Sequence, residues 1–149
     1  VLSLLGVSFD FINAVDLGGA ITQTSGALRL KNIKINSCSC LGYGGALYLS
    51  LLEDLNIQNL EVYNTTTVFD GVITILGKPS IKLILKSVLC SNTKAFGKGD
   101  CLLLNNCEIS VEDLHVLGIE SNISIIHIEG NSKSLAQFKN LILEKSSLF

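Results

Sequence analysis

Cutting a sugar chain takes two carboxylates facing one bond, or acids that hold a divalent cation beside a base. The acids best spaced for such work are Asp70 and Asp100, each in the turn ahead of a short apolar run, DGVITI and GDCLLL. Turn chemistry, in which an aspartate bonds nearby backbone, accounts for both with fewer assumptions. His115 and His127 fall in different strands, so a shared metal or proton relay is not expected of them, and exposed strand positions are. Lys34 and Glu61 should be neighbours across one repeat, forming a surface ion pair worth little. Lys31, Lys86 and Lys139 share a column with Gln58 and Glu112 and read as a solvated edge.

The five cysteines, an odd number without regular spacing, do not describe a disulfide framework. Cys90 and Cys101 occupy apolar slots and read as small core residues. Cys38, Cys40 and Cys107 lie in a loop and at a turn, where the C-x-C spacing lacks partners for a four-ligand metal site. Buried thiols are the favoured reading; a loop-to-turn disulfide in an oxidising compartment is the alternative, without an assigned pairing. Asn64-Thr65-Thr66 and Asn122-Ile123-Ser124 match the glycosylation sequon, which makes Asn64 and Asn122 candidate modification sites. No cofactor and no metal is expected.

These residues have to be positioned by something, and composition says it is a folded core. Of 149 residues 48% are hydrophobic, 16% are charged and one is proline, which excludes a disordered chain. A net charge of −2 gives no electrostatic reason to expect nucleic acid or an anionic membrane. The apolar runs fall short of the roughly 18 residues that span a bilayer, so no transmembrane segment is expected. The chain opens on Val1 in mid-pattern, and it reads as one segment, 1–149, of a longer solenoid.

The core is repetitive. A segment of the form apolar-x-apolar-x-small polar-apolar-x-apolar recurs as LSLLGVSF, LRLKNIKI, LNIQNLEV, LILKSVLC, ISVEDLHV and AQFKNLIL. Its small polar residues are Gly6, Asn32, Asn59, Ser87, Asp113 and Asn140, at intervals of 26, 27, 28, 26 and 27. A second element lies between the copies: GGAIT, GGALYL, DGVITI, GDCLLL and NISIIHI. Such a period marks a solenoid. Each unit reads as three short strands, the first through Ile21, Leu47, Ile73, Leu102 and Ile126, whose intervening residues Thr22, Tyr48, Thr74, Leu103 and His127 should face outward.

Between the second and third strands the inward positions are three apart, as in Leu30 to Ile33. A strand with period two would turn the side chains outward there, so the backbone must bend. Asn, Asp, Ser and Gly tolerate or favour such a bend, and stacked asparagines can bond to one another along the axis. The loops should be 37–45, 63–71, 91–99 and 118–122, with shorter turns at 77–80 and 130–133. The expected fold is an all-β, right-handed, single-stranded parallel β-helix of about six rungs, with loops absorbing the uneven spacing.

These repeats resemble the pectin-lyase-like right-handed β-helix superfamily over the whole chain. The GGAI and GGAL elements at Gly18–Ile21 and Gly44–Leu47 also resemble the repeats of polymorphic outer-membrane autotransporter passengers, and large surface β-helix proteins of protists are similar. The resemblance implies an extracellular or cell-surface setting with adhesive or scaffolding roles. It transfers no catalytic residue: the Asn-Thr-Asp, Asp-Asp and His-Gly signatures of the hydrolase branch are missing. The expected function is therefore a non-enzymatic structural or adhesive segment, making end-to-end or lateral contacts with further β-helix chain or a filament partner. The alternative is a carbohydrate-binding or polysaccharide-degrading protein whose site lies mostly elsewhere, with Tyr43, Tyr48 and Tyr63 available to stack on sugar rings.

Overall fold

The computed structural model describes residues 1–78, 82–131 and 133–148. Every regular element in them is a β-strand and every pairing is parallel, in a coil of about five turns. Five turns follow from six stacked copies, because the copies at the two ends are each completed on one side only. Of the turns read at 77–80 and 130–133, Pro79, Ser80 and Ser132 lie outside the described residues.

The long sheet begins with Leu2–Leu5 and Ser8–Asp10 and continues through Ala27–Asn36, Asp54–Tyr63, Lys82–Ser91, Glu108–Leu117 and Leu135–Glu144. Each of the last five is a single ten-residue strand where two strands were expected. The bend at the small polar residue is real, yet the pairing runs through it on both sides, so the ladder is scarcely interrupted. Burial alternates along each arm and skips a beat at the bend. Inside stand Leu30, Ile57, Leu85 and Val111 on one arm, and Ile33, Leu60, Val88 and Leu114 on the other, all buried.

A second sheet stacks Ile21–Gln23, Leu47–Ser50, Ile73–Leu76, Leu102–Asn105 and Ile126–Glu129 with Ile21, Leu47, Ile73, Leu102 and Ile126 in one column. The GG element at its entrance has two separate causes. Gly18 and Gly44 hold φ of 58° and 70°, a left-handed angle that costs glycine nothing. Gly19 lies so close under the next rung that a side-chain carbon there would collide with the Gly45 carbonyl.

The third wall corrects the loop assignment. Asn13–Ala14, Ser39–Cys40, Thr66–Thr67 and Lys94–Ala95 form a narrow sheet of two-residue strands, and Glu120–Ser121 pairs with Ser147–Leu148 beyond it. This wall is lined inside by Cys38, Cys40, Thr65, Thr67, Thr93 and Ser121, all buried. Hydroxyls can stand in a core when they are satisfied. The Thr65 Oγ1 donates to Tyr63 O at 2.8 Å, Thr67 Oγ1 to Gly42 O at 2.6 Å and Thr93 Oγ1 to Asp100 O at 2.6 Å.

Candidate functional site

The bend in the ten-residue strands builds a file of polar residues along the axis. Gly6, Asn32, Asn59, Ser87, Asp113 and Asn140 all hold φ between 53° and 63°, in the left-handed region. Asn59 Nδ2 donates to Asn32 Oδ1 at 2.8 Å, and Asn140 Nδ2 donates to Asp113 Oδ1 at 2.7 Å. The file is aligned as expected, but its side-chain bonding comes in two pieces with Ser87 between them.

A second ladder stands one corner further on, where the long strands end. Asn36 Nδ2 donates to Asp10 Oδ1 at 3.3 Å, Asn64 Nδ2 to Asn36 Oδ1 at 3.2 Å and Asn92 Nδ2 to Asn64 Oδ1 at 3.5 Å. Left-handed angles recur there at Phe11, Ser37, Asn64 and Asn92. The sequence carries a signal for it: Asn36-Ser37, Asn64-Thr65 and Asn92-Thr93 each stand where a long strand ends. Asn64, a candidate glycosylation site, thus spends its amide on its neighbours. Asn122 lies in the stretch after Glu120–Ser121, where Ser124 Oγ accepts the Gly99 amide at 3.1 Å.

Outside the first bend runs a shallow groove of about 490 Å³. Asn32, Asn59, Ser87 and Asp113 line it, together with Lys34, Glu61, Leu89 and His115 from the outer face of the third-strand arm. Lys34 and Glu61 are in register, but they are not joined as an ion pair. Lys34 Nζ lies 5.2 Å from the Tyr63 ring centre, and Tyr63 Oη donates to Glu61 Oε2 at 3.1 Å. Burial, then the Glu61 bond and charge, push the Tyr63 phenol above its ordinary pKa. Tyr63 engages both, the lysine through its ring face and the exposed carboxylate through its hydroxyl. His115 Nε2 is 3.1 Å from Glu144 Oε2. Both acids that line the groove are therefore engaged, Asp113 by Asn140 and Glu61 by Tyr63, while His115 is held by Glu144 from outside it.

The lysine column is more ordered than a solvated edge requires. Glu112 sits between Lys139 at 2.6 Å and Lys86 at 3.3 Å, and their hydrogen bonds and charges, Lys139 foremost, hold its carboxyl below the usual range. Both lysines are exposed, so screening keeps the contribution of the three charges small.

Asp70 and Asp100 serve the turns. Asp70 Oδ1 accepts the Lys98 amide at 2.7 Å, and Asp100, buried, turns its Oδ1 to the Ala95 amide. His127 stands apart from His115 on the second sheet, 3.8 Å from Glu129. Thr74 and Leu103, expected on that outer face, are buried because the corner folds over them: Thr74 Oγ1 donates to Gly71 O at 3.0 Å. Tyr43 and Tyr48 share a hollow of about 160 Å³ there with Asp70 and Glu129, away from Tyr63.

Cys90 and Cys101 are buried as expected but are not thiols: they form a disulfide, with Cα atoms 5.8 Å apart. Both slots point into the core from facing walls, a relationship that linear spacing hides. Cys38, Cys40 and Cys107 are free and buried, and desolvation raises the pKa of all three. Among the described residues no group of three or more His, Cys, Asp or Glu is placed to hold a metal ion. No family model, curated protein or solved structure matches this chain.

Proposed function

We propose that this chain is a structural or adhesive segment of a right-handed, pectin-lyase-like β-helix at an extracellular or cell surface, joined to further β-helix chain at its ends and sides. The observation that supports this most is at the terminal rungs. Leu141 and Leu143 are 44% and 51% exposed, while Leu114 and Val116, one rung inside in the same columns, are 1% and 0% exposed. A core column laid open, over strands with an unpaired edge, is a surface that another rung covers. At the opposite end Leu2, in the column of the fully buried Leu28, is 41% exposed in the same way. The Cys90–Cys101 disulfide supports the extracellular setting, since such bonds persist in oxidising compartments.

End-on contact joins unlike surfaces and does not close, so it predicts rods whose length grows with concentration. Electron microscopy and light scattering of the purified chain test this. Leu143→Lys, which charges an exposed position of the last rung, should stop the growth. A chain that never lengthens with concentration would overturn the reading.

The groove along the bend supports a second reading, the binding of an extended glycan. Its amides, Lys34 and His115 offer donors and acceptors repeating at the rung spacing of about 4.8 Å. A glycan array probed with the chain and with an Asn59→Ala, Lys34→Ala variant tests it; binding lost in the variant favours this reading.

A further inference from the structure

One group of exposed large apolar residues on the side of the coil forms a file along the narrow strands. Val15, Leu41, Val68 and Phe96, which follow the narrow strands, are 71%, 60%, 43% and 67% exposed. They stack in register, because the amides of Leu41, Val68 and Phe96 donate to the carbonyls of Ala14, Cys40 and Thr67 on the preceding rungs. Beside them Tyr43 and Phe69 stack with ring centres 5.3 Å apart, both also exposed. The result is a continuous apolar stripe four rungs long, of the kind that marks a contact surface on a folded protein.

The chemistry of the stripe selects its partner. A sugar needs an open aromatic face, but Tyr43 and Phe69 turn faces to each other, Lys94 lies over the Phe96 ring at 5.5 Å, and Val15, Leu41 and Val68 have no ring. A row of apolar side chains at rung spacing matches another such row, which can interdigitate with it. Charge then sets the orientation. At one end of the stripe stands exposed Asp16; at the other stand exposed Lys94 and Lys98. A two-fold axis across the stripe, between Leu41 and Val68, brings Asp16 of each copy to the Lys98 end of the other and separates like charges. Parallel packing would set lysines against lysines.

We propose that this stripe is an isologous interface at which two copies of the chain pack side by side, their axes antiparallel. The proposal specifies the lateral contact of the functional reading and does not depend on end-on growth.

Two single variants, Val15→Cys and Phe96→Cys, test it under mild oxidation. In one chain these positions are three rungs apart, too far for a bond within it. Antiparallel pairing puts Val15 of one copy opposite Phe96 of its partner. Mixing the two variants should therefore give a covalent heterodimer, while each alone gives none. Leu41→Lys with Val68→Lys, at exposed positions, should weaken side-by-side dimerisation at least tenfold in sedimentation and leave rod growth intact. Cross-linked homodimers of either single variant would overturn the antiparallel arrangement. Unaltered dimerisation of the lysine variant, or a wild-type chain that never pairs laterally, would overturn the interface, and with rods still growing it would leave the end-on reading standing.

Discussion

Asn59 donates its side-chain amide to the carbonyl oxygen of Asn32 one rung away, at 2.8 Å, and both residues hold left-handed backbone angles, φ 58° and 54°. One residue type thus does two jobs at the bend. Its short polar side chain tolerates an angle that costs other L-residues roughly 1–2 kcal/mol. The same side chain bonds to its neighbour, which holds successive rungs at one register. Position and bond reinforce each other, since a residue forced out of the left-handed region would carry its amide out of the file.

Asn59→Ala and Asn59→Gly separate the two jobs. Both remove a hydrogen bond worth about 1 kcal/mol, but only alanine also has to bear the left-handed angle. The alanine variant should lose about 2–3 kcal/mol in urea unfolding and the glycine variant about 1–2, the excess over the bond being backbone entropy. Equal midpoints for the two would show that the angle contributes nothing.

Ser87 breaks the file, and the chemistry of Asp113 determines how it can be mended. An asparagine in place of the serine could donate to Asn59, but its own carbonyl would then face the Asp113 carboxylate, two acceptors with no proton between them. Ser87→Asn alone should gain little. Ser87→Asn with Asp113→Asn supplies the missing donor and completes the run from Asn32 to Asn140. The pair should stabilise the coil beyond the sum of the single changes by about 1 kcal/mol in a double-mutant cycle. Additive effects would mean that these side chains do not communicate.

The Cys90–Cys101 bridge closes a short loop, residues 11 apart, and carries the narrow strand Lys94–Ala95 within it. Constraint of the unfolded chain by a loop of this size is worth about 2–3 kcal/mol. Cys90→Ala with Cys101→Ala should lose at least that much, with reductant lowering the wild-type midpoint but not the variant's. Titration of the unreduced, denatured chain should find three thiols, namely Cys38, Cys40 and Cys107. Five reactive thiols would remove the bridge altogether.

The coil was legible in the sequence because apolar positions that stack must recur, and a bend that shifts parity has to fall on a residue such as Asn32 or Asn59. Where the pattern was not apolar, the reading failed. Thr65, Thr67 and Thr93 look like loop residues, and their burial becomes reasonable only once their hydroxyls are seen to bond back to the chain. The ladder at Asn36, Asn64 and Asn92 is hidden for a related reason, since asparagine at a strand end reads as the start of a loop. The apolar slots of Cys90 and Cys101 are visible in the pattern, but which wall faces which is a property of the closed turn. Tyr63 displaced the simple Lys34–Glu61 pairing because an aromatic two residues along the strand can reach both.

Cys107 offers a titration with a defined sign. Its thiol is buried with two acceptors for its single proton, Ile75 O at 3.3 Å and Asn105 O at 3.2 Å, and desolvation raises its pKa from 9.0 to about 11. Below the unfolded value both states hold the proton and the group has no effect on stability. As pH rises from about 9 through about 11 the unfolded chain releases the proton first, so stability on the order of 2 kcal/mol is lost across that window. Unfolding free energy measured from pH 8 to 11 should therefore fall more steeply for the wild type than for Cys107→Ala. Cys38 and Cys40, raised in the same direction, leave a residual slope in the variant. Alkylation supplies the kinetic counterpart: at pH 8.5 the native Cys107 should react far more slowly with iodoacetamide than it does in urea. Equal slopes with rapid native labelling would mean that this thiol faces water and that the turn does not enclose it.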